Sequence, residues 1–204
     1  MKTLIIWDWN NTLVDTMEAS FLAMQDVASY YDVPAVSRDE MMTVIGTHRD
    51  YWQMTFGDKE EEAVHYYLNR YATYRDTIQV IDGAQDVLDF VRSKNISQII
   101  LSNEDETLLF PETEYTNLKS YFDYIQGSVD EHAKPEKAFA EKALQHFDYE
   151  HLILIGDGLS DMQMADVLGA TSICVFNNVP NTVKTDYRCA SLKEVKQVLE
   201  SLLS

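Results

Sequence analysis

The chain has 204 residues, 46% of them apolar, with 16 Lys+Arg against 34 Asp+Glu and a formal net charge of −18. This composition excludes a disordered or collagen-like chain, and the length suits one large domain or a domain with a smaller insertion. A field this negative repels phosphate backbones and anionic lipid, so neither nucleic acid nor a membrane is expected as a partner. A small anionic ligand would need a local cluster of cations or a metal. The two cysteines, Cys174 and Cys189, are too few for a disulfide scaffold and fit a reducing compartment. No apolar run approaches the roughly 20 residues that span a bilayer. The apolar stretch 4–7 meets Asp8 too soon for a signal peptide, so the chain reads as cytoplasmic.

Residues 3–9 form an apolar run that ends in the polar turn Asn10-Asn11-Thr12, the pattern of a buried strand delivering its C-terminal end to a loop. From residue 16 to about 78 no strand pattern occurs, only helical periodicity broken at Val33-Pro34, Gly46 and Gly57-Asp58. This block holds 7 of the 12 tyrosines, and Tyr67, Tyr71 and Tyr74 at helical spacing predict a packed face rather than an aromatic ligand site. After Gly83, helical patterns at 84–91, 137–147, 160–168 and 192–203 alternate with apolar runs at 97–101, 151–155 and 171–176. Such alternation predicts an α/β fold with a parallel sheet, whose ligands gather at the C-terminal ends of the strands.

Three carboxylates fall at those ends: Asp8 after the first run, and Asp157 and Asp161 in Gly156-Asp157-Gly158-Leu159-Ser160-Asp161. Each alone reads as a helix N-cap, and Ser160 caps equally well. Three together repel one another unless a cation joins them, and hard oxygen ligands suit Mg²⁺. Ser102-Asn103 follows another strand, either as a helix cap or as a hydroxyl and backbone N–H aimed at a phosphate. Lys134, before Pro135 at a helix start, is a candidate counter-charge for a phosphate and a nucleophilic carboxylate.

In order, Asp8-Trp9-Asn10-Asn11-Thr12-Leu13-Val14-Asp15, Leu101-Ser102-Asn103, Lys134-Pro135 and the Gly156 to Asp161 loop resemble the motifs of the haloacid dehalogenase superfamily. The stretch 83–103 resembles the helix and strand before the second motif, and 121–134 resembles the approach to the third-motif lysine in phosphoglycolate phosphatase-like members. The resemblance implies a Rossmann-like core at 1–15 and 80–204 with an inserted α-helical cap at 16–79. It also implies an Mg²⁺-dependent phosphatase acting on a small-molecule phosphate ester, as a monomer or homodimer. Asp8 would be the nucleophile that forms an aspartyl-phosphate. Mg²⁺ would be held by Asp8, the backbone carbonyl of Asn10 and Asp157, with Asp161 nearby. Ser102, Lys134 and the backbone after Asn103 would cradle the phosphoryl group.

One position departs from that pattern. Phosphatases of the superfamily carry a second Asp two residues after the nucleophile, as acid and then base; here it is Asn10, whose amide does not titrate near neutral pH. Losing a general acid–base typically costs about 10²–10⁴ in rate. Three explanations stand open: a change introduced into an active phosphatase, a weak enzyme or phosphate-binding pseudoenzyme, or a different reaction. The fourth motif argues against dehalogenation, and Lys59, in the surface-like run Asp58-Lys59-Glu60-Glu61-Glu62, argues against a phosphonatase. A mutase needs the missing Asp. In the cap block, Gly46-Thr47-His48-Arg49 resembles a Gly-x-x-Arg element, so Arg49 either binds a second anionic group of the substrate or pairs with a surface carboxylate.

Overall fold

The structure, a computed structural model, describes residues 2–41, 48–129, 132–176 and 178–203, with His48 and Arg49 described by their backbone only. The elements run β1 (Thr3–Trp7), β2 (Val14–Asp15), α1 (Met17–Tyr31), α2 (His48–Phe56), α3 (Glu60–Ala72), β3 (Gln79–Val80), α4 (Ala84–Ser93) and β4 (Ser97–Asp105). They continue with α5 (Glu106–Tyr115), β5 (Tyr124–Ser128), α6 (Lys137–Leu144), β6 (His151–Gly156), α7 (Leu159–Leu168), β7 (Thr171–Val175), β8 (Tyr187–Cys189) and α8 (Leu192–Leu202). The chain divides into two compact units, Met1–Asp15 with Gln79–Ser204, and Thr16–Ile78.

In the first unit six strands form one sheet in the order β5-β4-β1-β6-β7-β8, and each neighbouring pair is parallel. Side chains alternate across a strand, so a strand covered on both faces is apolar throughout. Leu4, Ile6, Ile99, Leu101, Leu152 and Leu154 turn to one face and pack with Phe139, Ala143 and Leu144 of α6 and Met162 and Ala165 of α7. Helices α4 and α8 pack on each other, and on β4 and β7 respectively. Their buried side chains are Val87, Leu88 and Val91 of α4 and Leu192, Val195 and Leu199 of α8. The α/β expectation is met. The strands β5 and β8 were not foreseen, because an edge strand has one neighbour and need not be an apolar run; Gln126-Gly127-Ser128 and Tyr187-Arg188-Cys189 read as loop.

Strand β1 lies between β4 and β6, so the sheet reverses direction of growth there, and the crevice at such a switch point is where ligands bind in this architecture. The β2–β3 pairing, Val14 with Val80 and Asp15 with Gln79, makes the chain leave and re-enter this unit through adjacent antiparallel backbone. Strand β4 runs past the expected 101 to Asp105 with a register shift between Leu101 and Asp105. Gly127 permits this: a Cβ there would lie 2.5 Å from the Glu104 carbonyl oxygen.

The second unit is helical among its described residues. Helix α3 packs against α1 and α2. Tyr67 and Tyr71 are buried on α3, the Tyr67 ring 5.4 Å from Trp52 and 5.9 Å from Tyr71, so these tyrosines are packing. Tyr74 lies beyond the helix end, and its hydroxyl donates to Asp26 Oδ2 at 2.7 Å, with Arg70 on the same carboxylate.

Candidate active site

Three adjacent strands deliver the candidate residues to one edge of the sheet. Trp7 pairs with Ile100 and with Ile155, so Asp8, Ser102 and Asp157 each follow within two residues of that line. The Asp8 N–H donates to the Ile155 carbonyl at 2.8 Å, which extends the β1–β6 ladder by one bond and fixes where its side chain begins. Lys134 reaches the edge from the loop before α6. Its N–H donates to Asn103 Oδ1 at 2.8 Å, and its Nζ donates to Asp8 Oδ1 at 2.5 Å and Asp161 Oδ1 at 2.6 Å. Asp161 lies in the first turn of α7, where its Oδ2 accepts the Gly158 N–H at 3.0 Å. It caps its helix with one oxygen and holds Lys134 with the other. Gly156 makes room for it, since a Cβ there would stand 2.3 Å from Asp161 Cγ.

Carboxylate oxygens of Asp8, Asp157 and Asp161 all lie within 4.8 Å of one another. Burial, then the charges of Asp8 and Asp161, push Asp157 up to about 7. Burial, then Asp8, pushes Asp161 up to about 6 despite Lys134. Burial works against the Lys134 ammonium, but Asp161 and Asp8 outweigh it and raise its pKa above the ordinary value. One buried cation thus holds two of three clustered carboxylates. Asp157 and Asp161 hold protons more tightly than free Asp, first because they are buried and then because negative charge is in excess. An all-oxygen donor set with surplus negative charge fits a hard divalent cation, Mg²⁺ included.

Asn10 donates from Nδ2 to Glu104 Oε2, while its Oδ1 is enclosed and accepts no hydrogen bond from the described residues. Burial and the neighbouring Glu112 push Glu104 up to about 8. Glu112, buried on α5, accepts the Trp9 Nε1 proton at 2.8 Å. Ser102 is buried, and its Oγ accepts the Glu104 N–H at 3.1 Å. The helix after it is capped by Asp105, which accepts the Thr107 N–H at 2.8 Å, and not by Ser102. Asn103 is exposed and spends its side-chain oxygen on Lys134. Gly46, Thr47 and the Arg49 side chain lie outside the described residues.

Sequence reasoning missed several site residues. The Thr12 hydroxyl lies 3.0 Å from Asp8 Oδ2 and 3.3 Å from Asp157 Oδ1, so its single proton is shared between them. Asn178, after β7, donates to Asp157 Oδ2 at 3.0 Å. Its position past the end of a central strand was the available signal. Glu104 gave none, since it stands in an acidic run that reads as a helix start.

A Rossmann-like parallel sheet with a cation-ready acidic cluster at its switch point defines the class. The chain belongs to the haloacid dehalogenase-like hydrolases, whose family profile matches residues 5–175. It is similar to the phosphoglycolate phosphatase of Chromobacterium violaceum, 22% identical over 216 residues that cover 97% of this chain and 96% of that protein. Among solved structures it is similar to a haloacid dehalogenase-like family hydrolase from Streptococcus pneumoniae, 24% identical with a TM-score of 0.86, covering 97% and 98% of the two chains. A subfamily IA hydrolase from Geobacter sulfurreducens is 20% identical with a TM-score of 0.78, covering 98% and 100%. Likenesses this distant in sequence show a shared fold.

Proposed function

We propose that the protein is an Mg²⁺-dependent phosphatase that acts on a small phosphorylated metabolite through an aspartyl-phosphate on Asp8, with turnover held down by Asn10. The observation that carries this reading is Lys134 on both Asp8 and Asp161 within a group of three carboxylates. In the first step an Asp8 carboxylate oxygen attacks phosphorus and the bond from phosphorus to the leaving oxygen breaks. Lys134 orients Asp8, and with the Ser102 hydroxyl it offsets charge on the phosphoryl oxygens. Mg²⁺, held by Asp8, Asp157 and the residue 10 carbonyl with Asp161 nearby, would neutralise phosphoryl charge. In the second step water attacks phosphorus, the bond to Asp8 breaks, and phosphate leaves with the carboxylate restored.

Asn10 can neither protonate the leaving oxygen nor take a proton from that water. The division of labour follows the sequence: 1–15 and 80–204 carry the chemistry, and 16–79 acts as a cap that selects the substrate, with Arg49 taking a second anionic group. The phosphatase relative favours a small phosphate ester, the net charge of −18 disfavours nucleic acid and anionic membrane, and two free cysteines suit the cytoplasm. Among the described residues no helix is long and apolar enough to cross a membrane.

Asn10 also favours a second reading, a catalytically silent module that binds a phosphate ligand in the same cradle. Hydrolysis of p-nitrophenyl phosphate with Mg²⁺, compared between this chain and Asn10→Asp, separates the two, with mass spectrometry for a phosphoryl adduct on Asp8. Turnover in the Asp form supports the phosphatase, and an adduct on the Asn form locates the block in the second step. No turnover and no adduct in either form leaves the binding module.

A further inference from the structure

We propose that Glu104 locks the Asn10 amide so that its carbonyl oxygen is offered to the water that attacks phosphorylated Asp8, which makes Glu104 a positioning residue for the second step. The inference rests on the phosphatase reading above. An Asn side chain is nearly symmetric in shape but not in chemistry, presenting two donors at one end and an acceptor at the other. Here the donor end is committed, because Nδ2 gives a proton to Glu104 Oε2. A carboxylate can only accept, so it holds Nδ2 and not Oδ1, and the carbonyl oxygen of a protonated carboxyl accepts the same bond.

The other end is unpartnered. Asn10 Oδ1 is enclosed, and no donor among the described residues reaches it. A buried acceptor left unpaired costs about 1–3 kcal/mol, which a bound water or hydroxyl recovers. Asn10 stands two residues after Asp8, within about 7 Å along even an extended chain. The orientation matters because an attacking water needs its lone pair free. An acceptor takes one of the water's hydrogens and leaves that lone pair for phosphorus, whereas a flipped NH₂ would bind the lone pair itself. As the bond to Asp8 breaks, the water's proton passes to a phosphoryl oxygen, since the amide accepts a hydrogen bond but no proton.

Glu104 is itself held in place. Its N–H donates to Ser102 Oγ at 3.1 Å, and its carbonyl passes over Gly127 where no side chain fits. Trp9 is tied in the same manner to Glu112, so consecutive residues of the loop after β1 are each fixed by an acid from the β4–α5 segment.

The test uses Glu104→Ala, which removes the acceptor, and Glu104→Gln, which keeps an oxygen in the same place. Asp8 is phosphorylated with p-nitrophenyl phosphate, and decay of the adduct is followed by quench and mass spectrometry. The Asn10 side-chain amide is read by ¹H–¹⁵N NMR in the resting protein, assigned by its loss in Asn10→Asp. The expected result is an adduct that persists about 10-fold longer in Glu104→Ala, near-normal decay in Glu104→Gln, and an unchanged kcat/KM in both, because only the step after phosphoryl transfer is slowed. The two Asn10 amide protons should be widely split in the parent and Gln forms and converge in the Ala form. Equal adduct lifetimes in the parent and Ala forms, or a Gln form as slow as Ala, would overturn the lock alone. No adduct and no turnover in any form, Asn10→Asp included, would overturn the phosphatase reading and the lock with it.

Discussion

Lys134 Nζ sits 2.5 Å from Asp8 Oδ1, a buried ion pair between residues 126 positions apart that joins a strand end to the loop before α6. The same ammonium lies 2.6 Å from Asp161, so one cation holds two carboxylates that would otherwise repel each other. Removing one partner of a buried ion pair typically costs about 3–5 kcal/mol, because the remaining charge is left uncompensated. Lys134→Met should therefore lower the urea midpoint of the metal-free protein strongly. Millimolar Mg²⁺ should recover part of the loss, since a cation among the carboxylates replaces the missing charge. A midpoint unchanged by the substitution would mean that the three carboxylates do not carry the charge assigned to them.

The same cluster sets a pH dependence of opposite sign to that of most salt-bridged acids. Asp157 is pushed up to about 7 and Asp161 up to about 6, both above their ordinary 3.8. Between about pH 4 and pH 7 the folded state then binds more protons than the unfolded state, so this contribution to stability falls as pH rises. Asp26, whose carboxyl is held below the ordinary range by Tyr74 and Arg70 in spite of burial, contributes in the other direction. Comparing metal-free parent protein with Asp157→Asn isolates the cluster. The parent should lose on the order of a few kcal/mol relative to the variant between pH 5 and pH 7.5. Parallel pH profiles would contradict the raised values. Saturating Mg²⁺ should reduce the parent's loss, because cation binding favours the deprotonated carboxylates.

Much of this arrangement was legible in the sequence because it follows from periodicity and position. Apolar runs such as 151–155, each ending in a polar loop, gave the parallel sheet, and a parallel sheet gathers residues that follow strand ends. Asp8, Ser102, Asp157 and Asp161 could be assigned to one edge on that ground alone. The Asn10–Glu104 contact was not legible, because it depends on β4 running past Leu101 with a register shift, and that depends on Gly127 in an edge strand with no apolar pattern. Thr12 and Asn178 were missed for a related reason. Their roles are set by where a hydroxyl or amide points, which periodicity does not encode.

Gly156 illustrates a position where backbone space, not conformation, excludes every other residue. An added Cβ would lie 2.3 Å from Asp161 Cγ, and that side chain cannot give way freely because Gly158 N–H and Lys134 hold its two oxygens. Gly156→Ala should cost about 1–3 kcal/mol by overpacking. It should also weaken Mg²⁺ binding measured by calorimetry, since the displaced carboxylate belongs to the cluster. Stability and Mg²⁺ affinity both equal to the parent's would show that Asp161 has room the structure does not display.

Asn10 makes a further demand on the first chemical step. When phosphorus transfers to Asp8, the leaving oxygen departs with the bonding electrons and needs a proton unless it is stable as an anion. An Asp at position 10 could supply that proton; the amide cannot. The rate of adduct formation should therefore fall steeply in the parent chain as the leaving group becomes more basic, from p-nitrophenyl to phenyl to a simple alkyl phosphate. In Asn10→Asp the same series should fall more gently, so that the advantage of the Asp form grows along it toward the about 10²–10⁴ that a general acid contributes. The measurement is the Mg²⁺-dependent burst or single-turnover rate for each ester in both forms. If the two series run parallel, residue 10 does not serve the leaving group, and the cost of Asn10 then falls on hydrolysis of the adduct alone. If the parent series is shallow but steepens in Glu104→Ala, the proton comes from the carboxyl beside Asn10, and the amide serves to hold that acid in place.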